Sequence, residues 1–204
     1  DTGVDIITGG DGNDTISGGG GNDTFKITSG IDTLTDINTL DVFVVSNGAT
    51  MNATGVATFS ATNASSNSGT ATLTAVSTGG TINMSSVGGS GGFTLIGSVK
   101  NDSITGSGNT DLFEIKTAGA GDGDTLDGAG GTDTLKLSTG THTLANDNLL
   151  KNIEVLETDS SGATVILTGQ TEGFTITGGA GNDIITAGAG NDIITSGGGT
   201  DSLT

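Results

Sequence analysis

Asp5, Asp14, Asp23, Asp32 and Asp41 stand at a strict step of nine, and Ile7, Ile16, Phe25, Leu34 and Phe43 keep that step two positions behind them. A fixed short period confines a chain to a stack of near-identical units, each too small to bury its apolar face alone. Two consecutive units, GGDGNDTIS (9–17) and GGGGNDTFK (18–26), show the design most fully. Their glycines supply the positive-φ backbone of a tight turn and let its carbonyls crowd together. The aspartate faces those carbonyls, which makes an all-oxygen site suited to a hard cation such as Ca²⁺. The last residues form a minimal strand with one apolar side chain pointing inward. Aspartate favours turns in any protein, but turn propensity does not produce an exact step of nine behind a glycine-rich turn.

Composition supports a repeat fold. The 204 residues include 39 glycines and no proline, and only 31% are hydrophobic and 3% aromatic, too little for a large globular core. Scattered glycine would point to disorder; here it is periodic. The net charge is −18, from 23 acids against five lysines with no arginine. That excludes a nucleic-acid binder, which needs a cationic face, and disfavours electrostatic membrane binding. No run reaches transmembrane length, so membrane insertion is not expected. Cysteine is absent, so no disulfide reports the compartment.

The repeats come in three blocks. The first, 1–44, loses its turn glycines towards Asp41. Residues 45–97 form a Thr/Ser/Gly-rich stretch without charge, and no acid occurs between Val42 and Lys100. Its first part, 45–70, shows no clear phase, although short strands are expected near 57–62 and 72–76. Gly79, Gly88, Gly97 and Gly106 then restore the step, placing Met84 and Phe93 where aspartate would stand, ahead of Asp102 and Asp111. Winding is expected to continue there with apolar residues in the ligand's place.

The second block, 98–136, contains GSGNTDLFE, a four-residue insertion at 115–118, then GAGDGDTLD and GAGGTDTLK with Asp124 and Asp133. In 137–168, His142 and Lys151 fall where aspartate is due, so calcium turns are expected to stop. A loop or short helical turn at 146–151 and an alternating strand at 152–157 are expected instead. The third block, 169–204, places Phe174 ahead of Asp183, Asp192 and Asp201. Both ends fall inside repeats, which reads as a segment of a longer polypeptide.

These nonapeptides resemble the RTX, or haemolysin-type calcium-binding repeat, proteins. The resemblance implies an all-β fold: a right-handed parallel β-roll or β-solenoid, two nonapeptides per coil, with calcium-binding GGxGxDxUx turns interrupted by calcium-free rungs. It implies several Ca²⁺ ions between turns stacked on one side. Neighbours eighteen residues apart would share them: Asp5 with Asp23, Asp14 with Asp32, Asp23 with Asp41, Asp183 with Asp201. Asp192 would have Phe174 on one side, and the insertion after Glu114 disturbs any pairing of Asp111 with Asp124. Type I secretion, with folding triggered by extracellular calcium, is a further implication. Within the family, the alternation with Thr/Ser-rich solenoid and the "-IE-L-" element, here Ile153, Glu154 and Leu156, is similar to bacterial S-layer proteins.

Among catalytic signatures, HExxH and a phosphate-cradling loop followed by lysine are missing. His142 reads as a surface residue of a degenerate turn, and Glu154 and Glu157 as an exposed strand face. Asn52, Asn63 and Asn83 head N-x-S/T triplets of the kind that arise by chance in such sequence. Ice binding through threonine at the third turn position is not supported, since Asp11, Gly20, Gly108, Gly121, Gly130, Ala180, Ala189 and Gly198 stand there. The expectation is a non-enzymatic extracellular, cell-surface structural protein, a calcium-stabilised segment of an S-layer or filament. Its expected partners are further copies of itself and a cell-surface glycan. The alternative is the calcium-binding module or stalk of a larger secreted enzyme, toxin or adhesin.

Overall fold

Two-residue alternation decides the local structure. Short runs such as Thr24–Ile27 and Leu112–Ile115 alternate partly exposed with buried positions, the pattern of a strand with one face inward. In the computed structural model, which describes residues 1–119 and 122–204, all regular structure among those residues is strand. Every strand pairing is parallel. The chain is a β-solenoid.

One sheet runs its whole length. Its ten strands are Thr15–Ile16, Ile31–Leu34, Thr50–Val56, Thr70–Ala75, Phe93–Ile96, Leu112–Ile115, Thr134–Leu137, Val155–Thr158, Thr175–Thr177 and Ile193–Thr195, hydrogen-bonded in chain order. The opposite wall is built by three shorter sheets in succession. The first joins Ile6–Thr8, Thr24–Ile27, Val42–Val45, Ser66–Asn67 and Gly88–Gly89. The second begins at Thr58–Ser60 and ends at Leu150–Lys151; the third begins at Gly140–Thr143 and ends at Ser202–Leu203. Where two of the short sheets overlap, a rung has three sides; elsewhere it has two.

Rung length follows. Two-sided rungs at both ends repeat at eighteen residues, as in Thr24 beside Ile6 and Ile193 beside Thr175. Three-sided rungs need an extra corner, so Thr81 lies 23 residues beyond its neighbour Thr58. This is why 45–70 has no nine-residue phase yet keeps the solenoid. The short strands expected there form at Thr58–Ser60 and Thr70–Ala75. The 152–157 strand forms slightly later, at Val155–Thr158, and a turn ending in Leu150–Lys151 occupies 146–151.

The core is a thin apolar column containing all six phenylalanines. Phe43, Phe59 and Phe93 come from three different walls and meet at ring-centroid distances of 5.8 and 6.0 Å around Phe43, within the range of favourable aromatic pairs. His142 belongs to this interior. It is fully buried beside Val165 in a parallel strand pair, with Nε2 2.9 Å from the Ser138 carbonyl. The expected surface position fails because a third wall starts at Gly140, turning residue 142 inward. Met84, placed in the aspartate series by counting nines, instead directly follows the strand Thr81–Asn83, where its N–H donates to the Thr105 carbonyl.

Candidate metal centre

Each repeat places its aspartate at the end of a turn, immediately before a strand or, for Asp32, at the second residue of one. There Oδ1 accepts the backbone N–H of the matching residue one rung earlier. The bonds are Asp5 N–H to Asp23 (2.9 Å), Asp14 to Asp32 (3.0 Å), Asp23 to Asp41 (2.9 Å) and Asp183 to Asp201 (2.9 Å). In the second block the same bond spans 22 residues, because the rung absorbs the insertion: Asp102 N–H donates to Asp124 (2.8 Å) and Asp111 N–H to Asp133 (2.7 Å). Asp111 is therefore registered with Asp133. Phe174 N–H donates to Asp192 (2.9 Å), stacking the apolar residue on the carboxylate.

These bonds line up a column along the leading edge of the long sheet. Read rung by rung, it is Asp14, Asp32, Met51, Ala71, Phe93, Asp111, Asp133, Glu154, Phe174, Asp192. Acidic groups are separated by apolar plugs. Asp5, Asp23 and Asp41 form a column on the first short sheet, Asp102 and Asp124 one on the second, and Asp183 and Asp201 one on the third.

The second carboxylate oxygen divides the aspartates. Oδ2 of Asp14, Asp23, Asp32, Asp124, Asp133 and Asp183 is buried and meets no donor. Oδ2 of Asp41 accepts the Asn38 N–H (2.8 Å), that of Asp102 the Ser98 N–H (2.6 Å), and that of Asp111 the Ser107 N–H and hydroxyl. The turns explain part of this. Their second residue is left-handed at Gly10, Gly19 and Ala129, with φ of 92°, 89° and 69°. Ser98 and Ser107 occupy that place in ordinary conformation and aim their amides at the carboxylate.

Space is reserved around the free oxygens. A Cβ on Gly9, Gly18 or Gly128 would collide with Oδ2 of Asp32, Asp23 or Asp133 respectively. None of the three has a positive φ, so they are glycine for room rather than for backbone conformation. Burial pushes Asp124 and Asp133 up to about 7; backbone N–H donors oppose the shift and neighbouring carboxylates add to it. Asp41 and Asp111 are also raised by burial. Ionised neighbours one strand spacing apart, about 4.8 Å, repel by about 3 kcal/mol at an effective dielectric of 20.

Buried, donor-free carboxylate oxygens beside open turns are the donor set of a hard divalent cation. The residues fit Ca²⁺, which neutralises the stacked carboxylates when bound. Glu154, read from sequence as part of an exposed strand face, is exposed as expected but precedes its strand, and its Oε2 joins the carboxylate column by accepting the Asp133 N–H. The apolar Ile153 between Asn152 and Glu154 disguised that position. Within the repeat 119–127, the positions of Ala120 and Gly121, including the third turn position at Gly121, lie outside the described residues.

The RTX calcium-binding nonapeptide repeat matches this chain in four copies, over residues 1–34, 87–114 and 175–203. Repeats of this kind bind calcium at multiple sites. No curated protein and no solved structure matches the chain.

Proposed function

From a chain that carries the RTX calcium-binding nonapeptide repeat and folds as a parallel β-solenoid, we propose a calcium-stabilised structural segment of an extracellular surface assembly, an S-layer or filament. The observation behind this reading is the continuity of the long sheet through all ten rungs, with its chemistry concentrated in carboxylate columns inside the turns. RTX-repeat β-rolls are structural calcium-binding folds. Ca²⁺ is held by Asp14, Asp23, Asp32, Asp124, Asp133 and Asp183, whose free oxygens need a cation, with Asp5, Asp192 and Asp201 completing the terminal rungs. Asp41, Asp102 and Asp111 have protein donors on both oxygens and serve as links in the ladder. Folding and ion binding are then one event, delayed until the chain meets extracellular calcium.

The test is a calcium titration of the purified chain followed by circular dichroism, with electron microscopy of the folded product. The proposal expects strand signal to develop with calcium, and lattices or filaments to form. A spectrum indifferent to calcium removes the ion-dependent part. Folded material that stays monomeric under all calcium conditions removes the assembly part and favours the module of a larger secreted protein.

A further inference from the structure

The segment Asn152–Ile153–Glu154 belongs to no nonapeptide, yet it occupies the rung that follows Asp133. At Gly106 and Gly178, the first glycine of a turn faces two oxygens: the carboxylate five residues ahead and a carbonyl of the next rung. A Cβ on Gly106 would lie 2.6 Å from Asp111 Oδ2 and 2.7 Å from the Gly128 carbonyl. One on Gly178 would lie 3.0 Å from Asp183 Oδ2 and would collide with the Ser196 carbonyl. At Gly128 the two oxygens are Asp133 Oδ2 and the carbonyl of Asn152. Asn152 thus stands where a turn's leading residue stands elsewhere, and it holds the left-handed conformation, φ 50°, that only one other non-glycine adopts among the described residues.

Glu154 takes the aspartate's part. Its Oε2 accepts the Asp133 N–H at 2.8 Å, just as Asp133 Oδ1 accepts the Asp111 N–H one rung earlier. The usual separation between leading residue and carboxylate is five; here it is two, and the longer glutamate arm spans the difference. Asp133 is 1% exposed and its Oδ2 meets no donor. Lys151 does not neutralise the group, since the one ion pair among the described residues joins Lys116 and Glu114.

We infer that Asn152–Ile153–Glu154 is a shortened calcium turn that closes the second block, binding a divalent cation between Asp133 Oδ2, the Asn152 carbonyl and the Glu154 carboxylate. The inference rests on the calcium reading above and extends it beyond the repeat motif. It makes the "-IE-" element the terminal unit of an ion column, with Phe174 as the apolar plug above it.

Glu154→Gln tests this, because an amide oxygen can still accept the Asp133 N–H while the charge is lost. Bound calcium is counted by native mass spectrometry of the whole chain, alongside Asp23→Asn as a variant of another column. The expected result for Glu154→Gln is one ion fewer than wild type, or at least a tenfold weaker last ion, with circular dichroism unchanged at saturating calcium. Gly128→Ala, which puts a methyl group into the same space, should lose that ion as well. An unchanged count and affinity in both variants overturns the inference, while the Asp23→Asn deficit would still uphold the calcium reading. A wild-type chain that binds no calcium overturns both.

Discussion

Removing calcium should invert the usual pH dependence of a protein's stability. Burial holds Asp124 and Asp133 near 7 against an ordinary value of 3.8, so the calcium-free folded state keeps two protons that the unfolded chain has already released. Below pH 3.8 both states are protonated and the two groups make no difference. Between 3.8 and 7 the folded state binds more protons, so raising the pH destabilises it; above 7 the loss is complete. With two protons involved, the slope reaches about −2.7 kcal/mol per pH unit. The full loss is at most about 4 kcal/mol per carboxylate, at about 1.36 kcal/mol for each pH unit separating the folded and unfolded values, and solvent screening at the turns reduces it. Urea denaturation of calcium-stripped protein from pH 4.5 to 8 measures this. A net charge of −18 adds general repulsion of the same sign, so the control is Asp124→Asn/Asp133→Asn, which should flatten most of the slope. Stability that rises with pH in the wild type, or a slope unaltered in the double variant, would refute the reasoning.

Saturating calcium should abolish that slope, because a bound cation stabilises the ionised carboxylates; denaturation midpoints with and without calcium at pH 7.5 give the comparison. Amide exchange of the calcium-free chain at acid pH should show Asn38, Ser98 and Ser107 protected by their bonds to Asp41, Asp102 and Asp111, whereas Ser98→Gly should leave calcium counts elsewhere unaltered. Phe43→Ala removes the centre of the three-walled aromatic cluster and should cost about 3–5 kcal/mol in denaturation with calcium present. Gly30→Ala combines a φ of 75° with a Cβ collision against the Gly12 carbonyl; it should lower the melting temperature more than Gly108→Ala, where a Cβ meets open space.

The end rungs were legible because a two-sided coil of eighteen residues leaves the period intact: Asp5, Asp23 and Asp41 stack as their spacing implies. Phe93 and Phe174 likewise occupy the ligand column. Counting failed wherever a rung gained a corner. Met84 is in phase by nines but out of the column, whereas Met51, directly beside Asp32, fills it without being in phase. The insertion at 115–118 broke the count and yet preserved the pairing, since both columns of that rung shifted by the same 22 residues. His142 was misread for a related reason: inward direction depends on where a wall begins, and the third wall begins two residues before it.

The three-sided rungs also show what stands in for calcium. A tight two-sided turn brings carbonyls and carboxylates together and leaves oxygens without donors, as at Asp23 and Asp183. An added corner brings amides instead. Buried Asn67 donates to the Gly92 carbonyl at 2.8 Å and accepts the Gly69 N–H at 3.1 Å. A side-chain amide carries both donor and acceptor, so it satisfies a corner without an ion. Carboxylate corners depend on what is dissolved outside the protein; amide corners do not. Alternating them along one continuous sheet gives a rod whose ion-free rungs offer a template on which the carboxylate rungs can close when calcium arrives. If so, stripping calcium at pH 7.5 should raise amide exchange first in the strands around Ile7, Ile194 and Leu203, and last in those around Leu73 and Ile82. Uniform exchange across all ten rungs would mean that the solenoid melts as one unit and that its amide corners confer no independent stability.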